Sequence, residues 1–225
     1  MKKVVNWIWK ALLWFFGLSL LSVIIFKWVP IPFTHLMISR VIEFKLNKQE
    51  AIYSHKWVPL EEISTNLQKA VISSEDGNFL THNGFDFKAI EIAMEANKNG
   101  KKLRGGSTIS QQTAKNVFLW QGRSYLRKGI EAYFTVLIEF IWGKERIMEV
   151  YLNSIEMGTG VYGAEEASRH WYRKDASELT PLEAAGIAAI LPNPRKFKAS
   201  NSSSYIERRK SKIRRLIRNF GSISY

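Results

Sequence analysis

The sequence has 225 residues, no cysteine and a formal net charge of +13. The lack of cysteine excludes a disulfide framework and a thiolate metal site. The four histidines are scattered without the spacing of metal ligands. The length suits one compact domain with an additional segment.

The positive charge is concentrated at the two ends of the sequence. Residues 1–30 contain four lysines and no acidic residue, and residues 195–225 contain ten basic residues against one glutamate. Residues 31–194 carry nineteen basic and nineteen acidic residues, so the middle of the chain is neutral. This distribution favours an anionic membrane surface as a partner and argues against a nucleic-acid-binding protein.

Residues 4–29 predict a transmembrane helix. Residues 11–26 contain no charge, and with their flanks they reach the roughly twenty residues that span a bilayer. Lys2 and Lys3 predict a cytoplasmic N-terminus, with the following domain outside the cytoplasmic membrane. A cleaved signal peptide is the alternative, but no small-x-small cleavage site follows the apolar run, which favours a retained anchor.

Capping signals and apolar periodicity predict that the rest of the chain is helical, and no stretch alternates clearly enough to predict a strand. The predicted helices are residues 36–47, a segment that opens at Pro59 and carries Glu75, residues 87–99 after an N-cap at Asp86, a short segment from an N-cap at Ser107 through Asn116, a long segment from an N-cap at Ser124 through Trp142 that Gly143 ends, residues 144–153, a segment from the capping box Thr180–Glu183 to Pro192, and residues 205–220.

The last of these helices is basic, with one apolar face. The residues of that face are Ile206, Ile213, Leu216, Ile217 and Phe220. Two interpretations stay open: the helix docks on the core with a solvated basic face, or it lies on a membrane surface.

Glu75 lies where an apolar helical run gives way to a loop. A carboxylate half-sheltered by apolar side chains has a raised pKa and can accept a proton near neutral pH. On their own, Glu75 and Asp76 before a Gly-Asn turn also suit a plain helix end, and His82 alone suits a structural histidine.

A glycine pair precedes the helix predicted at Ser107. Gly105 and Gly106 allow the backbone to approach a ligand closely, and a helix that starts directly afterwards presents free N–H groups to an anion. Lys115 follows two turns later and can reach a phosphate. The polar side chains between them suit sugar hydroxyls: Ser107, Thr108, Gln111 and Gln112. An ordinary glycine turn with a serine cap is the alternative, and the missing Lys-Ser/Thr excludes a Walker loop.

Arg127 and Glu131 lie one helical turn apart on one face. Alone, they predict a surface ion pair worth under about 1 kcal/mol. The functional interpretation is a second carboxylate, kept ionised by flanking cations, that orients those cations or a bound diphosphate.

The combined set predicts glycosyl transfer from a lipid diphosphate. A diphosphate is a good leaving group once cations neutralise its charge, so a general acid is less necessary. Glycosidases lack that advantage and need an acid carboxyl group as well. The richness in cations therefore favours glycan synthesis over glycan cleavage.

Five segments in order resemble the signature motifs of the peptidoglycan glycosyltransferases. They are Glu75-Asp76-x-x-Phe79-x-x-His82-x-Gly84, Gly105-Gly106-Ser107-Thr108-Ile109-Ser110-Gln111-Gln112-x-x-Lys115-Asn116, Arg127-Lys128-x-x-Glu131, Lys144-Glu145-Arg146-Ile147-Met148-Glu149-Val150-Tyr151-Leu152-Asn153 and Gly158-x-Gly160-Val161-Tyr162-Gly163-Ala164-Glu165-x-Ala167. Neither Ser-x-x-Lys nor Lys-Thr-Gly is present, so the sequence resembles the monofunctional members of that family rather than class A penicillin-binding proteins, which add a transpeptidase.

The resemblance implies a mainly α, lysozyme-like, two-lobed domain at residues 31–225, including the basic helix at about 205–220. A cytoplasmic stub and transmembrane anchor at residues 1–30 precede it. The implied activity is polymerisation of lipid II into β-1,4-linked glycan strands, with release of undecaprenyl diphosphate and inversion at the anomeric carbon.

The resemblance also implies roles for individual residues. Glu75 is expected to deprotonate the acceptor 4-hydroxyl, and Glu131 is expected to be the second catalytic carboxylate. Lys115, Arg123 and Arg127 are expected to stabilise the diphosphate. The other residues expected to bind substrate or shape the cleft are Asp76, Phe79, His82, Gly106, Ser107, Thr108, Gln111, Gln112, Asn116, Lys128 and Asn153. No cofactor is required, although a divalent cation (Mg or Mn) near Glu131 is compatible with the resemblance.

The expected partners are lipid II, the growing glycan strand, the membrane and other cell-wall synthesis or division proteins, without nucleic acid. The expected location is the bacterial cytoplasmic (inner) membrane, with a single span and a periplasmic catalytic domain. Two alternatives stay open. A membrane-anchored lytic enzyme would shorten glycan, and a non-catalytic cell-wall scaffold would tolerate the loss of Glu75.

Overall fold

The structure, a computed structural model, describes residues 2–48, 50–98, 106–122 and 124–225. Over these ranges it is mainly α-helical, as the sequence predicts. The helices are α1 (Lys2–Trp28), α2 (His35–Leu46), α3 (Thr65–Glu75), α4 (Phe87–Lys98), α5 (Ile109–Phe118), α6 (Tyr125–Ile141), α7 (Gly143–Ser154), α8 (Ala164–Tyr172), α9 (Pro181–Ile190) and α10 (Ser204–Asn219). Short 3₁₀ turns cover Leu60–Glu62 and Ala176–Glu178, and the strands are β1 (Ser54–His55), β2 (Glu156–Gly158) and β3 (Val161–Tyr162).

Among the described residues, α1 alone is long and apolar enough to cross a membrane. Most of its side chains are exposed, while Ser19 and Val23 are buried against the domain. An apolar helix surface that protein does not cover suits lipid rather than water. The helix predicted at residues 4–29 is therefore confirmed, and its passage through a membrane stays a prediction.

Helix α9 is the centre of one group of helices. The predicted capping box Thr180–Glu183 forms at its start, and all residues of Ala184–Ile190 are buried. Because most of these side chains are small, α3 and α10 pack closely on α9. Gly186 marks a close approach, since a Cβ there would lie 2.2 Å from the hydroxyl oxygen of Tyr172.

Helices α5, α6 and α7 form a second group. Phe118 of α5 stacks on Phe134 of α6 with ring centroids 4.4 Å apart. Ile147 and Tyr151 of α7 are fully buried, and α5 contacts both α6 and α7. Helix α6 also contacts α1, so the apolar N-terminal helix packs on this group.

The sequence predicted no strand, but the structure contains one small sheet. Its strand order is β1-β3-β2, with β1 parallel and β2 antiparallel to β3. Strands of two or three residues are too short to show alternation in a sequence. Helix α8, which follows β3, was not predicted either. It begins after Gly163, which has a φ of 82° and a conformation that glycine adopts without strain.

The predicted start of the helix that carries Glu75 was too early. Leu60–Glu62 forms a separate 3₁₀ turn, and α3 begins at Thr65. Ser64 caps α3 through its side chain, which makes it a stronger start signal than the acidic residues after Pro59.

The predicted cap of α5 was one residue early. Thr108, not Ser107, is the N-cap, because Thr108 and Gln111 form a reciprocal capping box. The predicted caps Asp86 and Ser124 are confirmed: their side chains accept backbone N–H bonds at 2.8 Å and 3.1 Å. The predicted end of α4, Asn99 and Gly100, lies outside the described residues.

Helix α10 docks on the core, as one of the two interpretations predicted. Ile206, Ile213 and Ile217 are buried, and the helix packs on α9 and α3. Leu216, predicted on the same face, is 37% exposed instead. Docking brings one cationic side chain of α10 close to Glu75, as described next.

Candidate active site

Glu75 is the last residue of α3 and lies partly buried beside α5 and α10. Gln112 of α5 donates from Nε2 to Oε2 of Glu75 at 3.3 Å. Burial raises the pKa of Glu75 above its ordinary value, while the Gln112 bond and the positive charges of Arg209 and Lys115 oppose that shift. A carboxylate with a raised pKa can accept a proton near neutral pH.

Tyr151 of α7 is hydrogen-bonded to Gln112, the residue that donates to Glu75. Its hydroxyl donates to Oε1 of Gln112 at 3.4 Å. Burial raises the pKa of Tyr151 well above its ordinary value, and the charges of Glu75 and Asp76 raise it further. The hydroxyl therefore stays protonated and acts as a donor. The sequence motif contains this tyrosine, but Tyr151 was not among the predicted site residues.

Asp76 is buried and joins the loop after α3 to the start of α5. It accepts a bond from the backbone N–H of Ile109, the first residue of α5, at 2.9 Å. Nε2 of His82 lies 2.9 Å from both oxygens of Asp76. Because Nδ1 of His82 accepts the N–H of Gly84 at 3.1 Å, Nε2 carries the hydrogen and donates to the carboxylate.

The sequence predicted that the N-terminus of α5 would bind a ligand anion. The structure corrects this prediction, because the carboxylate of Asp76 already occupies the N–H group of Ile109. The protein's own anion thus complements the positive end of the helix dipole. The cations available to a ligand phosphate therefore lie further along α5 and on α6.

Replacing His82 with Phe is expected to lower the stability of the folded protein by about 1–3 kcal/mol, because buried Asp76 and the N–H of Gly84 each lose a partner. The expected readout is a lower thermal midpoint of the full chain in detergent. The matched control is the same substitution at His170, which is exposed. Equal thermal midpoints for the two variants would contradict the proposal that His82 stabilises the protein through its bonds with Asp76 and Gly84.

Lys115 lies near both candidate carboxylates. Its ammonium is attracted by Glu131 and, less strongly, by Glu75. Burial lowers the pKa of Lys115 below its ordinary value, and the charges of Arg127 and Lys128 lower it further. One cation therefore connects the candidate base with a second charged cluster.

That second cluster is built around Glu131 of α6, which is 3% exposed. Lys128 donates from Nζ to Oε1 of Glu131, and Nη1 of Arg127 lies 3.9 Å from Oε2. Nε of Arg127 is buried and has no hydrogen-bond partner among the described residues. An unsatisfied buried donor costs roughly 1–3 kcal/mol, so this guanidinium is suited to an anionic ligand that completes its hydrogen bonds.

Arg209 of α10 is a site residue that the sequence reasoning missed. It lies close enough to Glu75 for its charge to lower the pKa of that carboxyl group. Its Nε donates to the backbone oxygen of Ala189 in α9 at 3.1 Å, which fixes the side chain. No signal in the sequence distinguished Arg209 from the other cations of this basic helix.

Replacing Arg209 with Gln is expected to raise the pKa of Glu75 further, because it removes a positive charge that lowers this pKa. If Glu75 acts as a base, the acidic limb of the pH–rate profile then moves to higher pH. Arg208→Gln is the control, because Arg208 is exposed on the same helix. An acidic limb that stays in place in Arg209→Gln would contradict the assignment.

Three residues predicted to bind substrate, Phe79, Thr108 and Gln111, have buried side chains. Phe79 is fully buried, with Nζ of Lys144 4.7 Å from its ring centroid. Thr108 donates its hydroxyl to the carbonyl of Gly84 at 2.7 Å and caps α5 together with Gln111. These side chains shape the cleft by holding its loop and helix. Ser107 is exposed and Gly106 partly exposed at the start of α5, and Asn116 is buried on that helix.

Asn153 requires a correction. Its side chain is fully buried, donates from Nδ2 to the backbone oxygens of Val58 and Glu149 at 2.9 Å each, and accepts the N–H of Val58 at 3.0 Å. With these groups already hydrogen-bonded, Asn153 ties α7 to the segment before α3 and has a structural role. Arg123, which was predicted to stabilise the diphosphate, lies outside the described residues.

Most of the chain is similar to known proteins. A family model described as transglycosylase matches residues 43–217. A biosynthetic peptidoglycan transglycosylase of Bdellovibrio bacteriovorus is 54% identical over 92% of this chain and 83% of that protein. Proteins with the same name from Pseudomonas syringae pv. syringae and Shewanella oneidensis are 49% and 48% identical, over 100% and 99% of this chain and 95% of each protein.

The matched region contains both charged clusters, the loop that Asp76 and His82 clamp, and the helix that supplies Arg209. The predicted mainly helical, lysozyme-like fold and the predicted family therefore agree with these findings. The chain belongs to the transglycosylase family.

Proposed function

We propose that this protein polymerises lipid II into peptidoglycan glycan strands and releases undecaprenyl diphosphate. The observation that carries the proposal is a sheltered carboxylate, Glu75, near a buried cluster of cations around Glu131, with the charge of Lys115 close to both. This arrangement offers a base and an anion site side by side. The names of the similar proteins support the same activity.

In the proposed reaction, Glu75 takes the proton of the acceptor's 4-hydroxyl group. The resulting oxygen forms a bond to C1 of the donor sugar at the reducing end of the growing strand. The bond between C1 and the diphosphate oxygen breaks, and the diphosphate leaves with the electron pair. Because attack and departure occur on opposite faces, the configuration at C1 inverts.

Lys115 and Arg127 are proposed to hold the leaving diphosphate. The charge of Lys115 acts on Glu75, so the cation that would hold the diphosphate lies near the base. Arg127 contributes a guanidinium whose buried Nε has no partner in the part of the chain that the structure describes, which suits a phosphate oxygen. Glu131 keeps these cations in position and offsets their mutual repulsion, since it pairs with Lys128 and lies near Arg127.

We propose that the reaction needs no resident metal ion. The donor set at Glu131 does not suit a divalent cation, because Lys128 and Arg127 face its two oxygens. In the described ranges, no group of three His, Asp or Glu side chains has the geometry of a metal site. The positive charge that a metal would supply comes from Lys115 and the cluster itself.

We also propose that α1 crosses the cytoplasmic membrane once, with its N-terminus inside and the catalytic domain outside. Its length, apolar composition and exposed side chains support this location. Lys2 and Lys3 favour the proposed orientation. Lipid II and the growing strand would then be presented at the same surface as the active site.

The experiment is incubation of the purified full chain, in detergent, with labelled lipid II. The expected product is a ladder of glycan chains longer than the substrate. Shortening of preformed glycan without any such ladder would assign the protein to the lytic enzymes. Absence of both activities would favour a scaffold and would contradict the proposal.

A further inference from the structure

Side chains of the catalytic domain are hydrogen-bonded to the apolar helix α1 at three positions along its length. The hydroxyl groups of Ser19 and Tyr133 are 2.7 Å apart. The indole N–H of Trp142 donates to the carbonyl of Val23 at 2.7 Å. The third contact lies at the end of α1 and involves Arg146, described below.

The order of these contacts shows how α1 lies on the domain. Moving along α1 from Ser19 to Val23, the partner residue moves from Tyr133 of α6 to Trp142, which directly follows α6. The two helices therefore run side by side in the same direction. A helix held at several levels has a defined orientation relative to the domain, whereas an anchor joined only by its connecting chain does not.

Arg146 of α7 closes the end of α1. It donates from Nε and Nη2 to the carbonyl of Phe26 at 3.1 Å and 2.9 Å, and from Nη2 to the carbonyl of Val29 at 2.8 Å. The last carbonyls of a helix lack partners within the helix, and a cation there is also favoured by the helix dipole. Arg146 thus supplies the C-terminal cap of α1 from another part of the chain.

The guanidinium of Arg146 is itself fixed. Its Nη1 lies 2.8 Å from Oε1 of Glu149, and its side chain is only 12% exposed. It also lies 5.1 Å from the ring centroid of Trp57, whose indole N–H donates to Glu149 at 3.2 Å. A planar, multiply bonded guanidinium loses little further freedom when it binds two carbonyls, so the cap is rigid.

We propose that Arg146 is a positioning residue that locks α1 and the catalytic domain into one rigid body. The consequence concerns the active site, because α6 carries Glu131 only two residues before Tyr133. Fixing α6 against α1 fixes the cation cluster relative to the bilayer that holds the lipid-linked diphosphate. This inference rests on the proposed function and on the proposed membrane passage of α1.

The first test measures the geometry directly. The chain has no cysteine, so spin labels can be placed uniquely at Leu13→Cys on α1 and Ser211→Cys on α10, both exposed positions. In full-length protein in lipid nanodiscs, a single narrow distance distribution is expected. Arg146→Ala is expected to broaden it. A broad distribution without the substitution, or an unchanged narrow one with it, would overturn the proposal.

The second test compares the reaction rates on labelled lipid II embedded in vesicles and dispersed in detergent. Arg146→Ala is expected to lose about tenfold in rate or more on vesicle-embedded substrate, because misplacing a reactant by an ångström can cost up to about 10²-fold. On detergent-dispersed substrate, where the protein need not meet a bilayer at one angle, its rate should match the unmodified protein's. Equal losses in both media would overturn the positioning role.

Two further variants serve as controls. Arg146→Lys retains a cation for Glu149 but lacks the planar guanidinium that donates to two carbonyls. It should therefore broaden the distance distribution, and it provides the test if Arg146→Ala fails to fold. Glu149→Gln removes the ion pair but leaves the carbonyl bonds available, and its distances should stay narrow. Failure of the unmodified protein to polymerise lipid II would contradict the proposed function alone, because the distance measurement does not depend on activity.

Discussion

Replacing Glu75 with Gln is expected to reduce the rate of glycan polymerisation by about 10²–10⁴-fold, the usual contribution of a positioned general base. The amide keeps the shape of the side chain and its contact with Gln112 but cannot accept the proton of the acceptor hydroxyl. Initial rates on labelled lipid II in detergent measure the effect. The matched control is Glu61→Gln, because Glu61 is exposed on the 3₁₀ turn that precedes α3.

The pH dependence gives this prediction a second readout. A base must be ionised, and burial raises the pKa of Glu75. The rate of the unmodified protein should therefore fall as the pH is lowered through that raised value, at a higher pH than for an ordinary glutamate. A rate in Glu75→Gln close to that of the unmodified protein would remove Glu75 from its role, whatever the pH.

Replacing Lys115 with Met is expected to reduce the rate by about 10²–10³-fold, the scale seen when one preorganised charge-stabilising group is lost. Methionine fills similar volume but leaves the departing diphosphate without the cation whose charge acts on both Glu75 and Glu131. Lys115→Arg should recover part of the rate, because its charge is retained. Lys88→Met is the control, since Lys88 is exposed on α4.

Lys115 also predicts the alkaline limb of the rate profile. The ammonium must be protonated to stabilise an anion, and burial lowers its pKa. The rate should therefore fall as the pH rises through that lowered value, and the profile should be bell-shaped. A loss of the alkaline limb in Lys115→Arg would fit this assignment, because arginine stays charged. An alkaline limb unchanged in Lys115→Arg would contradict it.

The parts of the fold that the sequence predicted well depend on local signals. The caps at Asp86, Ser124 and Thr180 involve residues within three positions of each other, and each formed as expected. The start of α5 was misplaced by one residue because Ser107 and Thr108 are both good caps. Only the reciprocal bond with Gln111 decides between them.

The parts that could not be predicted depend on contacts between distant segments. Strand β1 forms by pairing with the distant strand β3, Ser54 opposite Val161, whereas β2 and β3 pair locally. Arg209 reaches Glu75 only because α10 docks on α9 and α3. Likewise, the sequence indicated an anion at the start of α5 but not that Asp76 supplies it.

The residues of the candidate site also include some that the sequence predicted correctly and one, Asn153, that it did not. Glu75 and Glu131 were found from their motifs, and the structure places Lys115 near both. Asn153 lies in an equally recognisable motif, yet its side chain is buried and structural. A motif therefore indicates which residues matter to the family, and burial with hydrogen bonding indicates which of them a substrate can touch.

The most direct measurement is a gel that resolves the products of labelled lipid II made by the unmodified protein and by Glu75→Gln side by side. The account predicts a ladder of long glycan chains from the unmodified protein and none from the variant. Ladders from both proteins would show that another group takes the proton, and a ladder from neither would contradict the proposed activity itself.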